Sequence, residues 1–331
     1  MVDKSTINWI LQKIHKRKIM VIGDVIADEY ITGNTYRLSR EAPIPIIRFQ
    51  SSEIRPGGAG NVAMNIAAMG GEATIAGVIG SDAYGKELKN IFRRNNISTD
   101  LLITDDTQTI IKTRVLAGDI NTATQQIFRL DRGINSPYSI EVFSALKKII
   151  SSNIKRYDAV VLSDYGEGLF TDGFIRWIIK FSNQKKIIAD SRFSLRKFKH
   201  ITALTPNINE LSQIYGKYVQ GLEELIRALK RLKRLTSVKY ILLKRGKDGI
   251  SIFKDWDRLI SFKAFGNTEV ADVTGAGDTV LAAFSLAISS DISPKKSAIF
   301  ANIAGGIKVL KRGTVPVSRE DIIRAINGKK I

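Results

Sequence analysis

Short apolar runs alternate with helical patterns along most of this chain, and that alternation limits the fold more than any single residue does. Lys18-Ile-Met-Val-Ile-Gly23, Ala73-Thr-Ile-Ala-Gly-Val-Ile79, Asp158-Ala-Val-Val-Leu-Ser163, Lys186-Ile-Ile-Ala-Asp190, Ala203-Leu-Thr205 and Tyr240-Ile-Leu-Leu-Lys244 read as strands. Helical patterns lie between them, among them a helix of small residues from Gly58 to Met69 and another from Asp82 to Asn95. Apolar strands separated by helices predict an α/β fold, with a mostly parallel central sheet covered by helices on both faces. Two regions depart from this pattern. Residues 29 to 54 and 108 to 131 carry alternating stretches such as Ile44-Pro-Ile-Ile-Arg-Phe49, Ile110-Ile-Lys-Thr-Arg-Val115 and Gln125-Gln-Ile-Phe-Arg-Leu130. These predict antiparallel strands with one polar face, forming a small sheet inserted into a single domain that spans 1 to 331.

Composition removes several kinds of chemistry. The chain has 331 residues, 44% hydrophobic and 25% charged, as expected for a globular protein with an ample core. It has no cysteine, so disulfides, thiolate catalysis and zinc–sulfur sites are excluded. Its two histidines, His15 and His200, are flanked by Lys16, Arg17 and Lys199, which places both on the surface and argues against a histidine metal cage or triad. Ile7, Ile10, Leu11 and Ile14 recur at helical spacing, unlike the continuous apolar core of a signal peptide. No apolar run approaches the roughly 20 residues that span a bilayer. A cytoplasmic protein with no membrane partner is expected. The net charge of +19 raises the question of nucleic acid, but the basic residues are dispersed rather than interleaved with aromatics. The densest cluster, Arg227 to Arg234, keeps Leu229, Leu232 and Leu235 at helical spacing and reads as the solvated face of an amphipathic helix.

The segment Asp272-Val-Thr-Gly-Ala-Gly-Asp278-Thr carries the clearest chemistry. Gly275, Ala276 and Gly277 precede an apolar helical run, so their N–H groups can converge on an anion at the helix start. Asp278, in the first turn, would repel bound phosphate, but it is placed to accept a proton from a hydroxyl attacking phosphorus. The same residues also suit a plain helix start, with glycine for the turn and aspartate for the dipole. In sheets of this kind ligands lie at the carboxyl ends of the strands. Asp24 follows the first strand and could accept hydrogen bonds from sugar hydroxyls. Pro56-Gly57-Gly58-Ala-Gly-Asn61 offers backbone N–H groups and a carboxamide. Its Gly58-Ala-Gly60-Asn-Val-Ala63 portion matches a dinucleotide-binding fingerprint only weakly, because Arg55-Pro56 stands where a strand should come first. In Thr205-Pro-Asn207-Ile-Asn209-Glu210, Asn207 and Glu210 share a helical face. They suit outer-shell waters of Mg²⁺, and equally a capping box.

Taken together, Gly23-Asp24, Gly57-Gly58…Asn61, Asn207-x-x-Glu210, Gly246-x-x-Gly249 and Asp272-Val-Thr-Gly-Ala-Gly-Asp278 resemble, in order, the motifs of the ribokinase or phosphofructokinase-B family of ATP-dependent sugar kinases. Within it, Arg37-Leu-Ser-Arg-Glu-Ala-Pro-Ile-Pro-Ile46, Arg55 to Asn65 and Leu162-Ser-Asp-Tyr-Gly166 are similar to the heptose 7-phosphate kinases, including the kinase half of bifunctional ADP-heptose enzymes. The kinase half alone is expected here. The resemblance implies a ribokinase-like fold whose small antiparallel β sheet is a lid that also pairs two subunits. It implies Asp278 as catalytic base, and the N–H groups of Gly275, Ala276 and Gly277 as an anion hole. Asn207, Asn209 and Glu210 would lie by the ATP phosphates, with Glu210 reaching Mg²⁺ through water. Lys244, Gly246 and Gly249 would lie along the nucleotide, and Asn302 near its adenine or ribose. Asp24, Gly57, Gly58 and Asn61 would bind the sugar, and Asp272 would help to hold a monovalent cation such as K⁺. The implied reaction phosphorylates the anomeric hydroxyl of a heptose 7-phosphate, with another sugar or a non-catalytic sensor as alternatives. Two departures bear on the substrate. Glu167 and Arg192 stand where the heptose enzymes usually carry lysines. Glu167 could face the sugar's phosphate or solvent, and Arg192 could compensate as a bidentate phosphate partner.

Overall fold

The computed structural model describes residues 3–118, 125–133, 137–254, 258–266 and 271–328. Helix α1 (Lys4–Lys13) leads into β1 (Lys18–Gly23). A hairpin of two long strands follows, β2 (Val25–Leu38) and β3 (Pro45–Gly58), and then α2 (Ala59–Ala68), β4 (Glu72–Gly80), α3 (Ala83–Arg94) and β5 (Ser98–Asp105). A second pair, β6 (Ile110–Gly118) and β7 (Gln125–Arg132), precedes α4 (Ile140–Asn153), β8 (Ala159–Asp164), α5 (Asp172–Ile178), β9 (Lys186–Ser191) and β10 (Ala203–Leu204). Next come α6 (Ile208–Tyr215), α7 (Gly221–Thr236), β11 (Tyr240–Lys244), β12 (Ile250–Phe253) and β13 (Leu259–Phe262), and last α8 (Ala276–Ser289), α9 (Pro294–Lys308) and α10 (Arg319–Ile326).

Among the described residues nine strands form the main sheet, in the order β13-β12-β11-β10-β9-β8-β1-β4-β5. All its pairs are parallel except those of β12 and β13, which turn back at one edge. Successive side chains point to opposite faces, so a strand covered on both sides must be apolar throughout. In β1, Ile19 and Val21 join the core layer with α1, α2, α8 and α9, while Met20 and Ile22 join the layer with α4 to α7. Ile7, Ile10, Leu11 and Ile14 are fully buried, as their spacing predicts, and both histidines are exposed. On α7 the buried stripe is Leu225, Ala228, Leu229, Leu232 and Thr236, and Leu235 is exposed. The helical rotation carries Leu235 out of the stripe and brings Thr236 in. Lys233, inside the basic run, is buried, and its ammonium donates to the carbonyls of Lys239 and Lys254.

The small sheet has the order β3-β2-β6-β7. Each hairpin is antiparallel, but the hairpins meet through a parallel pair, β2 with β6. Alternation revealed which residues share a face, but not the direction of the partner strand. The strands also reach further than 29 to 54, since β2 begins at Val25 and β3 runs to Gly58. Residues 119 to 124 lie outside the described residues. Arg55-Pro56 is therefore part of a strand that runs directly into α2, against the reading that no strand precedes it. Pro56 is tolerated because β3 is an edge strand. The dinucleotide reading still fails, because β3 belongs to the small sheet and pairs antiparallel with β2.

Candidate active site

The parallel strands end in a row of polar residues: Asp24 after β1, Asp164 in β8, Asp190 in β9, Thr205 after β10 and Lys244 in β11. Above this row begins α8. Gly275 caps it with φ +77°, a left-handed conformation suited to glycine, and a Cβ there would stand only 2.6 Å from Asn61 Nδ2. The Ala276 N–H donates to the Val273 carbonyl at 3.2 Å, so one of the three expected anion donors is engaged within the turn. The N–H groups of Gly277 and Asp278, in the first turn of the helix, have no acceptor inside it.

Asp278 is almost wholly buried and held from two sides. Asn61 Nδ2 donates to Oδ2 at 2.7 Å, and the Tyr165 hydroxyl donates to Oδ1 at 2.8 Å. Burial pushes the Asp278 carboxyl up to about 7, against the two hydrogen bonds that favour its charged form. A carboxylate poised there can exchange a proton near neutrality. The same desolvation lifts the Tyr165 phenol well above its ordinary value, which keeps it a proton donor. Asn61 is oriented in turn, because its Oδ1 and carbonyl accept from Asn65 Nδ2 at 3.1 and 2.9 Å. Asn65 Oδ1 accepts from Thr279 and the Val317 N–H. Asn61 was expected to bind sugar hydroxyls. One of its two amide hydrogens goes to Asp278, so in this structure it positions that carboxylate.

Lys244 was expected along the nucleotide, yet its ammonium lies under the α8 turn, where a Cβ on Gly277 would sit 3.4 Å from Nζ. It donates to both oxygens of Asp190, at 2.7 and 2.9 Å. Burial lowers its pKa, but Asp190 and Glu210 outweigh that and hold it above the usual lysine value. Asn207 and Glu210 form the full capping box of α6, with bonds of 2.7 and 2.9 Å. Glu210 is raised to about 7 by burial and then by Asp190. Among the described residues no three acidic or histidine side chains cluster as a metal cage. Asn207 and the Glu210 carboxylate, one oxygen of which serves the capping box, suit the waters of a hydrated Mg²⁺ shared with phosphates, since that ion keeps its waters and takes few protein ligands. Asn209 is exposed, Gly246 has φ +59°, and a Cβ at Gly249 would lie 2.2 Å from the Phe262 carbonyl, so Gly249 lets the β11–β12 turn close against β13. Asn302 Nδ2 donates to the Lys263 carbonyl at 2.7 Å.

Asp24, linked to Asp278 through Tyr165, is buried at the end of β1. Its Oδ2 accepts from the Tyr165 and Glu167 N–H groups at 2.8 and 3.3 Å, while Oδ1 has no partner among the described residues. Burial, then Asp164, raises its carboxyl to about 7. A buried acceptor without a donor is costly and suits a ligand hydroxyl. The small sheet meets this floor closely at Gly58, where a Cβ would lie 2.4 Å from the Asp24 carbonyl, while within the sheet one at Gly57 would lie 2.5 Å from Asp28 Oδ2. Lys112 of β6 pairs with Glu167 at 2.8 Å, and its ammonium lies 5.5 Å from the Tyr165 ring centroid. Arg114 pairs with Asp28 at 2.6 Å. Glu167 thus turns inward to a buried ion pair, and the solvent-facing alternative is excluded. Arg192 is exposed beside Phe193. Tyr165, Lys112 and Asp190 received no role from the sequence. Ser163-Asp-Tyr-Gly carried the signal for Tyr165, as a phenol directly after a strand end.

Comparison with known proteins agrees with this arrangement. The model of the pfkB family of carbohydrate kinases matches residues 16–321. The chain belongs to that family. This pfkB kinase is 34% identical over 328 residues to the bifunctional protein HldE of Pelobacter propionicus, covering 98% of this chain and 66% of that protein. It is 35% identical over 309 residues to the HldE protein of Sulfurimonas denitrificans, covering 92% and 63%. The chain thus spans just under two thirds of the length of these relatives. Among solved structures, Escherichia coli phosphofructokinase-2 in complex with substrates and products matches with a TM-score of 0.78 at 18% identity, covering 94% and 99% of the two chains. Arabidopsis thaliana ribokinase complexed with ribose and ATP matches at 0.72 and 20%, covering 94% and 99%. The fold of this kinase is ribokinase-like, and the family it belongs to phosphorylates an alcohol group of a carbohydrate. Among the described residues no helix is long and apolar enough to cross a membrane.

Proposed function

We propose that this kinase transfers the γ-phosphoryl group of ATP to the anomeric hydroxyl of D-glycero-D-manno-heptose 7-phosphate, giving the 1,7-bisphosphate for ADP-heptose synthesis. The observation that carries the reading is the buried Asp278 carboxylate, clamped by Asn61 and Tyr165 at the start of α8. Asp278 takes the proton of the attacking hydroxyl, and the N–H groups of the α8 first turn with Lys244 receive the transferring phosphoryl charge. Asp24 Oδ1 accepts from a sugar hydroxyl, with Gly57 and Gly58 letting the small sheet close over it. Asn207 and Glu210 would hold the waters of Mg²⁺, which when bound neutralises charge on the phosphates. Asn209, Gly246, Gly249 and Asn302 lie toward the nucleotide.

The whole chain acts as one kinase domain, with the small sheet as a lid whose closure excludes water from the transfer. Leu38, Phe49, Phe128 and Leu130 are exposed on that sheet and Ile44 in its β2–β3 loop, which supports a homodimer joined through the lids. Dependence on ATP is consistent with a cytoplasmic setting. One observation favours a second reading, a different sugar or sugar phosphate: Glu167 neutralises Lys112 where a distal phosphate would be received. ADP release over a panel of heptose, hexose and pentose phosphates tests both readings. Selective turnover of the heptose 7-phosphate is expected, and preference for another sugar would replace it. No turnover with any sugar would favour a non-catalytic sensor.

A further inference from the structure

A buried positive charge with no part in the roles assigned above lies beneath the α8 turn. Lys308, the last residue of α9, is fully buried. Its stem passes under Gly275, where a Cβ would stand 3.6 Å from Lys308 Cε. Its ammonium donates to the Lys311 carbonyl at 3.1 Å. Burial lowers its pKa, and Asp272 is the group that most favours its charged form. Asp272 is itself fixed, with Oδ1 accepting from the Thr274 N–H at 2.8 Å and Oδ2 from the Gly313 N–H at 2.7 Å. Burial alone would raise that carboxyl, but these two N–H groups and the Lys308 charge hold it below the usual carboxylate range. Thr274 and Gly313 flank the turn and the loop after α9, so Asp272 ties the anion-binding turn to that loop.

The sequence resemblance led to the expectation of a monovalent cation at this place, with Asp272 among its ligands. The residues present do not fit one. Each carboxylate oxygen already accepts one N–H bond, and the acid's remaining charge is the one that most favours the Lys308 ammonium. Lys311 and Arg55 add further positive charge around it, each partly offset by its own acid, Asp321 and Glu53. A free monocation would meet repulsion in a desolvated setting, where charge interactions are strong. A fully buried lysine is also uncommon, because its charge must be compensated. We propose that Lys308 takes the place of the monovalent cation in this kinase and fixes positive charge under the anion-binding turn, so that neither folding of the turn nor turnover requires potassium. The proposal rests on the kinase reading, but its first test does not.

That test is thermal melting of the unliganded protein in potassium chloride and in choline chloride at equal ionic strength. The wild type should melt within about 1 °C in the two salts, whereas Lys308→Met, which empties the ammonium position and leaves Asp272 and the Lys311 carbonyl, should gain about 3 °C or more from potassium. The second test is ADP release in the same salts. Wild-type turnover should change less than about twofold, and Lys308→Met should lose about tenfold in choline and regain most of it in potassium. Potassium-specific stabilisation or severalfold activation of the wild type would overturn the proposal, and that arm needs no variant. A Lys308→Met protein that melts and turns over like the wild type in both salts would also overturn it. Absence of turnover with every sugar would count against the kinase reading, while the melting comparison would still decide the role of Lys308.

Discussion

The Tyr165 hydroxyl donates to Asp278 Oδ1 at 2.8 Å, joining two residues 113 positions apart in the chain. The phenol comes from the loop after β8 and the carboxylate from the first turn of α8. Together with Asn61 from α2, they fix the carboxylate before any substrate arrives, which removes reorganisation from the reaction step.

Tyr165→Phe removes a hydrogen bond that favours the charged form of Asp278 and leaves the burial that opposes it. The Asp278 pKa should therefore rise further above about 7. A hydrogen bond to a charged group contributes about 1.5–3 kcal/mol, so the acid limb of the kcat/KM profile should move up by about one unit or more. At a pH well above both values most of the turnover should return. A profile that scales down without shifting would mean that Tyr165 acts only on geometry.

The alternation of strands and helices was legible because both faces of the main sheet are covered, so each strand had to be apolar along its length. β1 and β11 begin and end where their apolar runs do. The small sheet was legible as strands, but the parallel pairing of β2 with β6 was not, since a residue's face says nothing about its neighbour's direction. The place of Asp278 at a helix start could be read because helix-start chemistry is local. The contacts of Asn61 and Lys244 could not. Asn61 meets a carboxylate 217 positions away, and Lys244 meets Asp190 54 positions away, contacts that only the folded sheet creates. Lys308 gave no sign in the sequence, where it is one lysine at the end of a helix of small residues.

Glu167→Gln should release the Lys112 ammonium from its carboxylate and leave it free to meet a phosphate on the substrate. One such charge-assisted contact is worth on the order of 1–3 kcal/mol, so KM for a heptose 7-phosphate should fall by roughly tenfold while that for an unphosphorylated sugar barely moves. The unliganded protein should also melt at a lower temperature, because a buried ammonium loses its partner. Equal changes in KM for the two substrates would place Glu167 outside the sugar pocket.

Glu210→Gln separates the two roles open to that residue. Glutamine serves at the third position of a capping box as glutamate does, so melting should change little. The lost charge should raise the Mg²⁺ concentration for half-maximal rate by about tenfold. An unchanged Mg²⁺ requirement would leave Glu210 as the cap of α6 alone.

The central claim is that Asp278 accepts the proton of the attacking hydroxyl, and turnover of Asp278→Asn tests it most directly. The asparagine keeps the shape and can still accept from Asn61, so the fold and ATP affinity should persist. General-base removal is worth about 10² to 10⁴ in rate, and kcat should fall by that factor while the dissociation constant for ATP stays within about threefold of wild type. A variant that retained more than about a third of the wild-type kcat would contradict the assignment.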